Sequence, residues 1–129
     1  MILLDTHVLV WMAIEPGKLS RTAKAAIQAA AQSGGLSISA ISLWEIAWLA
    51  VRGRIEFMGT PEAFVEEIAS RTAIHPITTK IAILANQFPE SYGGDPSDRL
   101  IGATALVEGI DLVTKDRTLR NFEQIRTIW

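Results

Sequence analysis

The residues best suited to chemistry in this chain are acidic, and three of them stand where an apolar segment ends or a helical pattern begins. Asp5 follows residues 1–4, Asp116 follows residues 111–114, and Asp98 lies two positions after Pro96, where a helical pattern starts. Carboxylate oxygens, without His or Cys, select Mg²⁺ or Mn²⁺ over zinc or copper. If these side chains cluster, they form a site for a hard divalent cation.

Each acidic residue also has a structural explanation. Asp5 and Asp116 can cap the helices that follow them, and Asp98 would favour the dipole of its helix. Glu45, a fourth acidic residue, lies three positions after Ser42 and fits the Ser-x-x-Glu capping box. For each residue taken singly, capping is the simpler explanation. The choice between capping and metal binding therefore depends on the elements that position the residues.

Apolar runs typical of buried strands alternate with helical patterns along the chain. Strands are predicted at residues 1–4, 36–41, 73–77, 111–114 and 127–129. Helices are predicted at residues 6–14, 20–32, 42–51, from 60 onward, 78–87 and 96–108, with a helical turn near 119. Strands separated by helices indicate right-handed crossovers and a sheet covered on both faces. We expect one α/β domain spanning residues 1–129, a three-layer α/β/α sandwich with a mainly parallel sheet of about five strands.

This architecture brings the acidic residues together. The carboxyl ends of parallel strands share one edge of the sheet, where open α/β folds place their sites. Carboxylates gathered there repel one another and raise one another's pKa unless a cation joins them. The sequence therefore predicts a Mg²⁺ or Mn²⁺ site at that edge.

Composition excludes several classes of protein. The chain has no cysteine, which excludes a disulfide scaffold, a zinc knuckle and thiol catalysis. Its net charge of −2 is unusual for a nucleic-acid binder, but two bound divalent cations would reverse the sign. No positive region precedes the first apolar residues, and the longest apolar run, residues 8–14, is too short to cross a bilayer. We expect a soluble, cytoplasmic protein.

Four segments around the acidic residues resemble the motifs of PIN-domain nucleases, and within that family the VapC-type toxins of bacterial toxin–antitoxin pairs. The segments are residues 1–7 (MILLDTH), 39–47 (SAISLWEIA), 95–101 (DPSDRLI) and 112–116 (LVTKD). One such segment alone is weak, but four in the same order over nearly the whole chain are specific. The chain departs from the family pattern at Ser97, where an aromatic residue is common, and in the loop Tyr92-Gly93-Gly94.

The resemblance implies a metal-dependent endoribonuclease that uses Mg²⁺ or Mn²⁺. Asp5 and Asp98 match the family's principal metal ligands, while Glu45 and Asp116 match acidic positions that complete the site directly or through water. The hydroxyls expected to support the water or the substrate phosphate belong to Thr6 and Thr114. The implied partners are an RNA substrate, a small antitoxin protein and a second copy of the chain in a homodimer. Asp95 is left outside the site, as a helix cap.

Two other functions are compatible with the pattern. A phosphatase could use Asp5 as a covalent nucleophile, although such enzymes usually place a second Asp two residues later, where this chain has His7. A non-catalytic RNA-binding regulatory domain would need no metal at all.

Among the remaining residues, His7 and His75 are expected to be structural. Trp44 and Trp48 share a helical face. We expect at least one of them to pack in the core, and the other, with Trp11, to lie in a protein interface.

Overall fold

A parallel sheet forms the centre of the computed structural model, which describes residues 1–129. The strands are β1 (Ile2–Leu4), β2 (Leu36–Ser39), β3 (Ala73–His75), β4 (Leu112–Val113) and β5 (Thr127–Ile128). Their order is β3-β2-β1-β4-β5, and every neighbouring pair is parallel. Leu3 of β1 lies beside Ser37 of β2 and Leu112 of β4, so β1 occupies the middle of the sheet.

Helices connect the strands. They are α1 (Thr6–Ile14), α2 (Arg21–Gln32), α3 (Ala40–Val51), α4 (Pro61–Ser70), α5 (Thr79–Gln87), α6 (Pro96–Glu108) and α7 (Arg117–Arg120). Their N-termini carry the side chains that capping requires: the Ser20 hydroxyl accepts from the Ala23 N–H at 3.0 Å, and Thr60 caps α4 ahead of Pro61. None of these helices is long and apolar enough to cross a membrane.

The helices lie on both faces of the sheet. Successive side chains of a strand point to opposite faces. Accordingly, Leu4 packs into a core with apolar residues of α1 to α4, whereas Leu3 packs into a second core with residues of α5, α6 and α7. The predicted three-layer α/β/α sandwich with a five-stranded parallel sheet is confirmed.

Several predicted boundaries were wrong by a few residues. The second strand ends at Ser39 rather than at residue 41, because the Ser39 hydroxyl accepts a hydrogen bond from the Ile41 N–H at 3.3 Å and caps a helix that begins at Ala40. The third strand ends at His75, and the fourth contains only Leu112 and Val113. Short apolar runs fit the start of a buried helix as well as a strand.

The predicted core packing of Trp44 or Trp48 was wrong. Trp44 is 63% exposed, and neither ring belongs to the two apolar cores. The reason is the face of α3 that the fold buries, which runs through Ile46 and Ala50. Trp48 instead lies beneath the Arg52 guanidinium, 4.6 Å from the ring centroid.

Candidate functional site

Three of the four predicted acidic residues, Asp5, Glu45 and Asp98, line one cavity of about 300 Å³. The cavity lies beyond the carboxyl end of β1, where α1, α3 and α6 meet. The remaining lining residues are Thr6, His7, Val10, Trp11, Leu49 and Ile55. Asp116, the fourth predicted residue, is not among them.

Asp5 is held between β1 and α1 and is only 3% exposed. Its Oδ1 accepts from the Thr6 backbone N–H at 2.8 Å, and its Oδ2 accepts from the Thr114 hydroxyl at 2.7 Å. Burial raises the pKa of Asp5 above its ordinary value, and the nearby charge of His7 and the two hydrogen bonds oppose that rise. The fixed carboxylate therefore combines a capping role with a position in the cavity.

Glu45 does not form the predicted capping box. The helix begins before Ser42, so Glu45 lies in its interior, and its Oε1 accepts from the hydroxyls of Thr6 and Ser97, at 2.5 Å each. Thr6 has a single hydroxyl proton, which it donates to Glu45, and so Ser42 must donate in the 2.9 Å contact between the Ser42 and Thr6 hydroxyls. Hydroxyls from α1 and α6 thus hold one oxygen of Glu45, while Oε2 receives no hydrogen bond from the protein.

Asp98 lies in the first turn of α6, as predicted. Its pKa is raised to about 7, first by burial and then by the negative charges of Asp5, Asp95, Asp116 and Glu45. No hydrogen bond to the carboxylate offsets these effects. The protein itself therefore supplies no hydrogen bond that stabilises the charge of Asp98.

Asp116 caps α7, since its Oδ1 accepts from the Leu119 N–H at 3.1 Å. Its link to the cavity is indirect: the Asp116 backbone N–H donates to the Thr114 hydroxyl oxygen at 3.0 Å, and that hydroxyl donates to Asp5. The negative charge of Asp116 nevertheless raises the pKa of both Asp5 and Asp98. It lies near enough for electrostatic influence and outside the wall of the cavity.

The model of one protein family matches nearly the whole chain: the PIN domain matches residues 2–125. The chain belongs to the PIN-domain family. Ribonuclease VapC22 of Mycobacterium tuberculosis is 42% identical over 130 residues, which covers 99% of this chain and 98% of that protein. The predicted family resemblance is thereby confirmed.

Solved structures with the same fold include complexes of VapBC proteins. VapBC2 from Rickettsia felis, bound to a DNA fragment from its promoter, matches with a TM-score of 0.75 and 19% identity over 98% of this chain and 97% of that chain. DNA-bound VapBC from Salmonella typhimurium matches with a TM-score of 0.74 and 23% identity over the same shares. At these identities the likeness establishes the fold.

The acidic groups of this PIN domain are the right kind of ligand for a hard cation, but few of them lie close together. The donors are carboxylate and hydroxyl oxygens, which Mg²⁺ prefers. However, no three His, Asp or Glu side chains lie close enough together to hold an ion. Mg²⁺ usually keeps several waters and takes only one or two carboxylates from a protein. The arrangement therefore fits a water-rich ion on Asp5 and Asp98 better than an all-protein cage.

Tyr92 and Gly102 together position the helix that carries Asp98. The Tyr92 hydroxyl donates to the Asp98 carbonyl oxygen at 2.9 Å, and Tyr92 itself is only 2% exposed. Its ring fits against Gly102, where a Cβ would lie 1.9 Å from the Tyr92 hydroxyl oxygen. A buried tyrosine whose hydroxyl reaches the first turn of α6 thus fixes the helix that carries Asp98.

Arg99 holds the segment between α5 and α6. Its guanidinium donates to the carbonyl oxygens of Gly93, Phe88, Ala85 and Pro89, at 2.6, 3.0, 3.1 and 3.3 Å. Arg99 lies within the motif segment 95–101, and nothing in the neighbouring sequence indicates acceptors 6 to 14 positions away. Ser97 was visible only as a departure from the family pattern.

His7 lies beside Asp5 but makes no hydrogen bond to its carboxylate. Its Nδ1 lies 3.5 Å from the Asp5 Oδ2, and its Nε2 accepts from the Lys115 backbone N–H at 3.1 Å. When the imidazole is neutral, this contact places its proton on Nδ1, which faces Asp5. His7 thus connects the start of α1 to the loop after β4.

Proposed function

We propose that this PIN domain is a metal-dependent endoribonuclease and the toxin component of a toxin–antitoxin pair. The observation that carries the proposal is the cavity shared by Asp5, Glu45 and Asp98. The 42% identity to a mycobacterial ribonuclease over nearly both chains supports the same activity. An alternative role of Asp5 as a covalent nucleophile is not favoured, because its two carboxylate oxygens are buried and hydrogen-bonded.

Asp5 and Asp98 are the direct ligands of Mg²⁺ or Mn²⁺ in this proposal, and Asp116 and Glu45 act through water. The raised pKa of Asp98 supports the assignment, because a bound cation would offset the burial and repulsion that disfavour its charge. Bound there, the ion would lower the pKa of a water molecule and stabilise negative charge on the phosphate.

Glu45 is the residue suited to receive the proton of the attacking water. Its Oε1 is fixed by two hydroxyls, so Oε2 remains available at the cavity. Thr6 holds Glu45 directly, and Thr114 fixes the orientation of Asp5. Water acts as the nucleophile, and the RNA 2′-hydroxyl has no role. The products therefore carry a 5′-phosphate and a 3′-hydroxyl.

The proposal includes two protein partners, a small antitoxin and a second copy of the chain. Support for the antitoxin comes from the structural neighbours, which are VapBC proteins bound to DNA, and the homodimer follows from the family resemblance. A cytoplasmic location belongs to the same proposal, since the RNA substrate is found there.

The decisive experiment incubates the purified protein with structured RNA in Mg²⁺ or in EDTA. We expect the wild-type protein to cleave RNA in Mg²⁺ but not in EDTA, and Asp98→Asn to cleave it in neither. Asp5→Asn should also be inactive while remaining folded, because asparagine still caps α1. Full activity of Asp5→Asn in Mg²⁺ would refute the ligand assignment, and 2′,3′-cyclic phosphate ends would refute the water mechanism.

A further inference from the structure

Three aromatic rings lie at one side of the acidic cavity. The His7 and Trp11 rings, both lining the cavity, meet edge to face with centroids 4.9 Å apart. Trp129 lies 6.0 Å from Trp11 and 6.5 Å from His7. Both tryptophans are only partly buried at the margin of the core. Trp11 lines the cavity with the carboxylates, and Trp129 extends the aromatic surface beside it.

Two lysines accompany these rings. The Nζ atoms of Lys18 and Lys115 lie 5.6 and 5.8 Å from the Trp11 centroid, which is within the range of cation–π attraction. Lys18 also pairs with Glu15 at 3.1 Å on the exposed surface, where such pairs are weak. Lys115 makes none of the ion pairs in the protein. We call Trp11, Trp129, Lys18 and Lys115 the tryptophan–lysine face.

We propose that the tryptophan–lysine face binds a nucleotide of single-stranded RNA that flanks the scissile phosphate. The inference rests on the proposed ribonuclease function and adds the residues that hold the strand beside the cleaved phosphate. Proteins that hold single strands combine aromatic rings, on which bases stack, with positive groups that contact the backbone. Both are present here, beside a cavity whose carboxylates would otherwise repel RNA.

The electrostatics of the cavity favour a positively charged surface beside it. Asp5, Glu45 and Asp98 place negative charge where a phosphate must enter. A bound cation would neutralise the scissile phosphate only, and the neighbouring phosphates would still meet the acidic wall. Lys18 and Lys115 lie over Trp11, which lines the cavity, and can pair with those phosphates.

A base can replace the lysines on the ring. An exposed cation–π contact changes an equilibrium by about two- to fivefold. Stacking of a base on an aromatic side chain changes binding by roughly 5- to 150-fold. Transfer of the ammonium groups from the indole to the phosphates, with a base taking their place, is therefore favourable. Bases in a duplex are already stacked, so the face selects single strands.

The test measures binding of a fluorescently labelled single-stranded RNA in EDTA, which prevents cleavage, by anisotropy. Trp11→Leu is expected to weaken binding about 5- to 150-fold, and Trp11→Phe by less, because phenylalanine keeps a ring. The matched control is Trp44→Leu, which removes an exposed tryptophan outside the cavity and should bind like the wild type. Thermal unfolding of each variant shows whether it is folded, and Trp11→Phe decides if Trp11→Leu is not.

A second measurement varies the salt concentration. Each phosphate contact on a single strand contributes about 0.7 to the slope of log K against log salt. Lys115→Gln should lower the slope by about that amount, whereas Lys24→Gln, a change on the exposed side of α2, should not. A duplex of the same sequence should bind with little difference between wild type and Trp11→Phe.

The outcomes separate the two proposals. Equal RNA binding by wild type, Trp11→Phe and Lys115→Gln would overturn the tryptophan–lysine face while leaving Mg²⁺-dependent cleavage untouched. A wild-type protein that neither binds nor cleaves any RNA would overturn the proposed function itself. Loss of binding to a protein partner in Trp11→Leu, with RNA binding unchanged, would assign the face to a protein interface instead.

Discussion

Replacing Asp98 by asparagine is expected to stabilise the metal-free protein above neutral pH while abolishing cleavage of RNA. The carboxylate is partly buried, faces other negative charges and receives no compensating hydrogen bond. Asparagine keeps nearly the same shape without the charge. Asp98 would thus contribute to catalysis at a cost in stability, and its replacement would raise the free energy of unfolding.

The magnitude follows from the pKa of Asp98, which is raised from 3.8 to about 7. Between these values the folded protein binds more protons than the unfolded chain, so stability falls as pH rises through this window. At 1.36 kcal/mol per pKa unit, complete burial would cost about 4 kcal/mol. Asp98 is only partly buried, and solvent screening reduces this to roughly 1–2 kcal/mol. Asparagine also loses the favourable interaction with the α6 dipole, about 0.3–1 kcal/mol.

The net expectation for Asp98→Asn is a gain of about 1 kcal/mol at pH 8, and no gain at pH 4, where Asp98 is protonated in the folded state. Urea unfolding in EDTA at several pH values measures both. The control is Glu62→Gln, which removes an exposed negative charge from the first turn of α4, away from the acidic cavity. Identical pH dependence of stability in wild type and Asp98→Asn would refute the reasoning.

Three further changes test the site. Glu45→Gln should lower the rate of cleavage about 10²–10⁴-fold, as expected for loss of a general base, and leave stability nearly unchanged; wild-type kinetics would exclude that role. Arg99→Lys keeps the charge but cannot reach four carbonyls, so the free energy of unfolding in urea should fall by about 1–3 kcal/mol. An unchanged midpoint would contradict the role of Arg99 in holding the segment between α5 and α6. Gly102→Ala should lose about 1–3 kcal/mol by displacing Tyr92, whereas Gly94→Ala, which meets open space, should not; calorimetry compares them.

The parts of the fold that follow from local patterns could be predicted. The bounds of α1 and α6 agree with the prediction, because an Asp cap or a Pro at the first position marks each start and a continuous helical pattern follows. The carboxyl end of β1, and with it the position of Asp5, could likewise be located, and that of β4 to within one residue.

The contacts of Glu45 could not be predicted. Its hydroxyl partners lie 39 and 52 positions away in the sequence, whereas the local Ser-x-x-Glu pattern pointed to a cap. Asp116 shows the opposite limit: its cap was visible locally, but its position outside the cavity wall depends on how β4 and α7 sit against α1. Local pattern identifies which residues are candidates, and packing between distant segments decides what they touch.

The central position of β1 has a consequence for how the protein is made. Asp5 receives its hydrogen bond from Thr114, 109 positions later, and β4, the neighbour of β1 on that side, consists of residues 112 and 113. At about 5–20 residues per second, a ribosome needs roughly 5–22 s to synthesise the intervening chain. Until then Asp5 has only one of its two hydrogen bonds, the one from the Thr6 N–H, and the complete cavity cannot form. A growing chain of this protein would therefore be harmless to RNA around it for most of its synthesis.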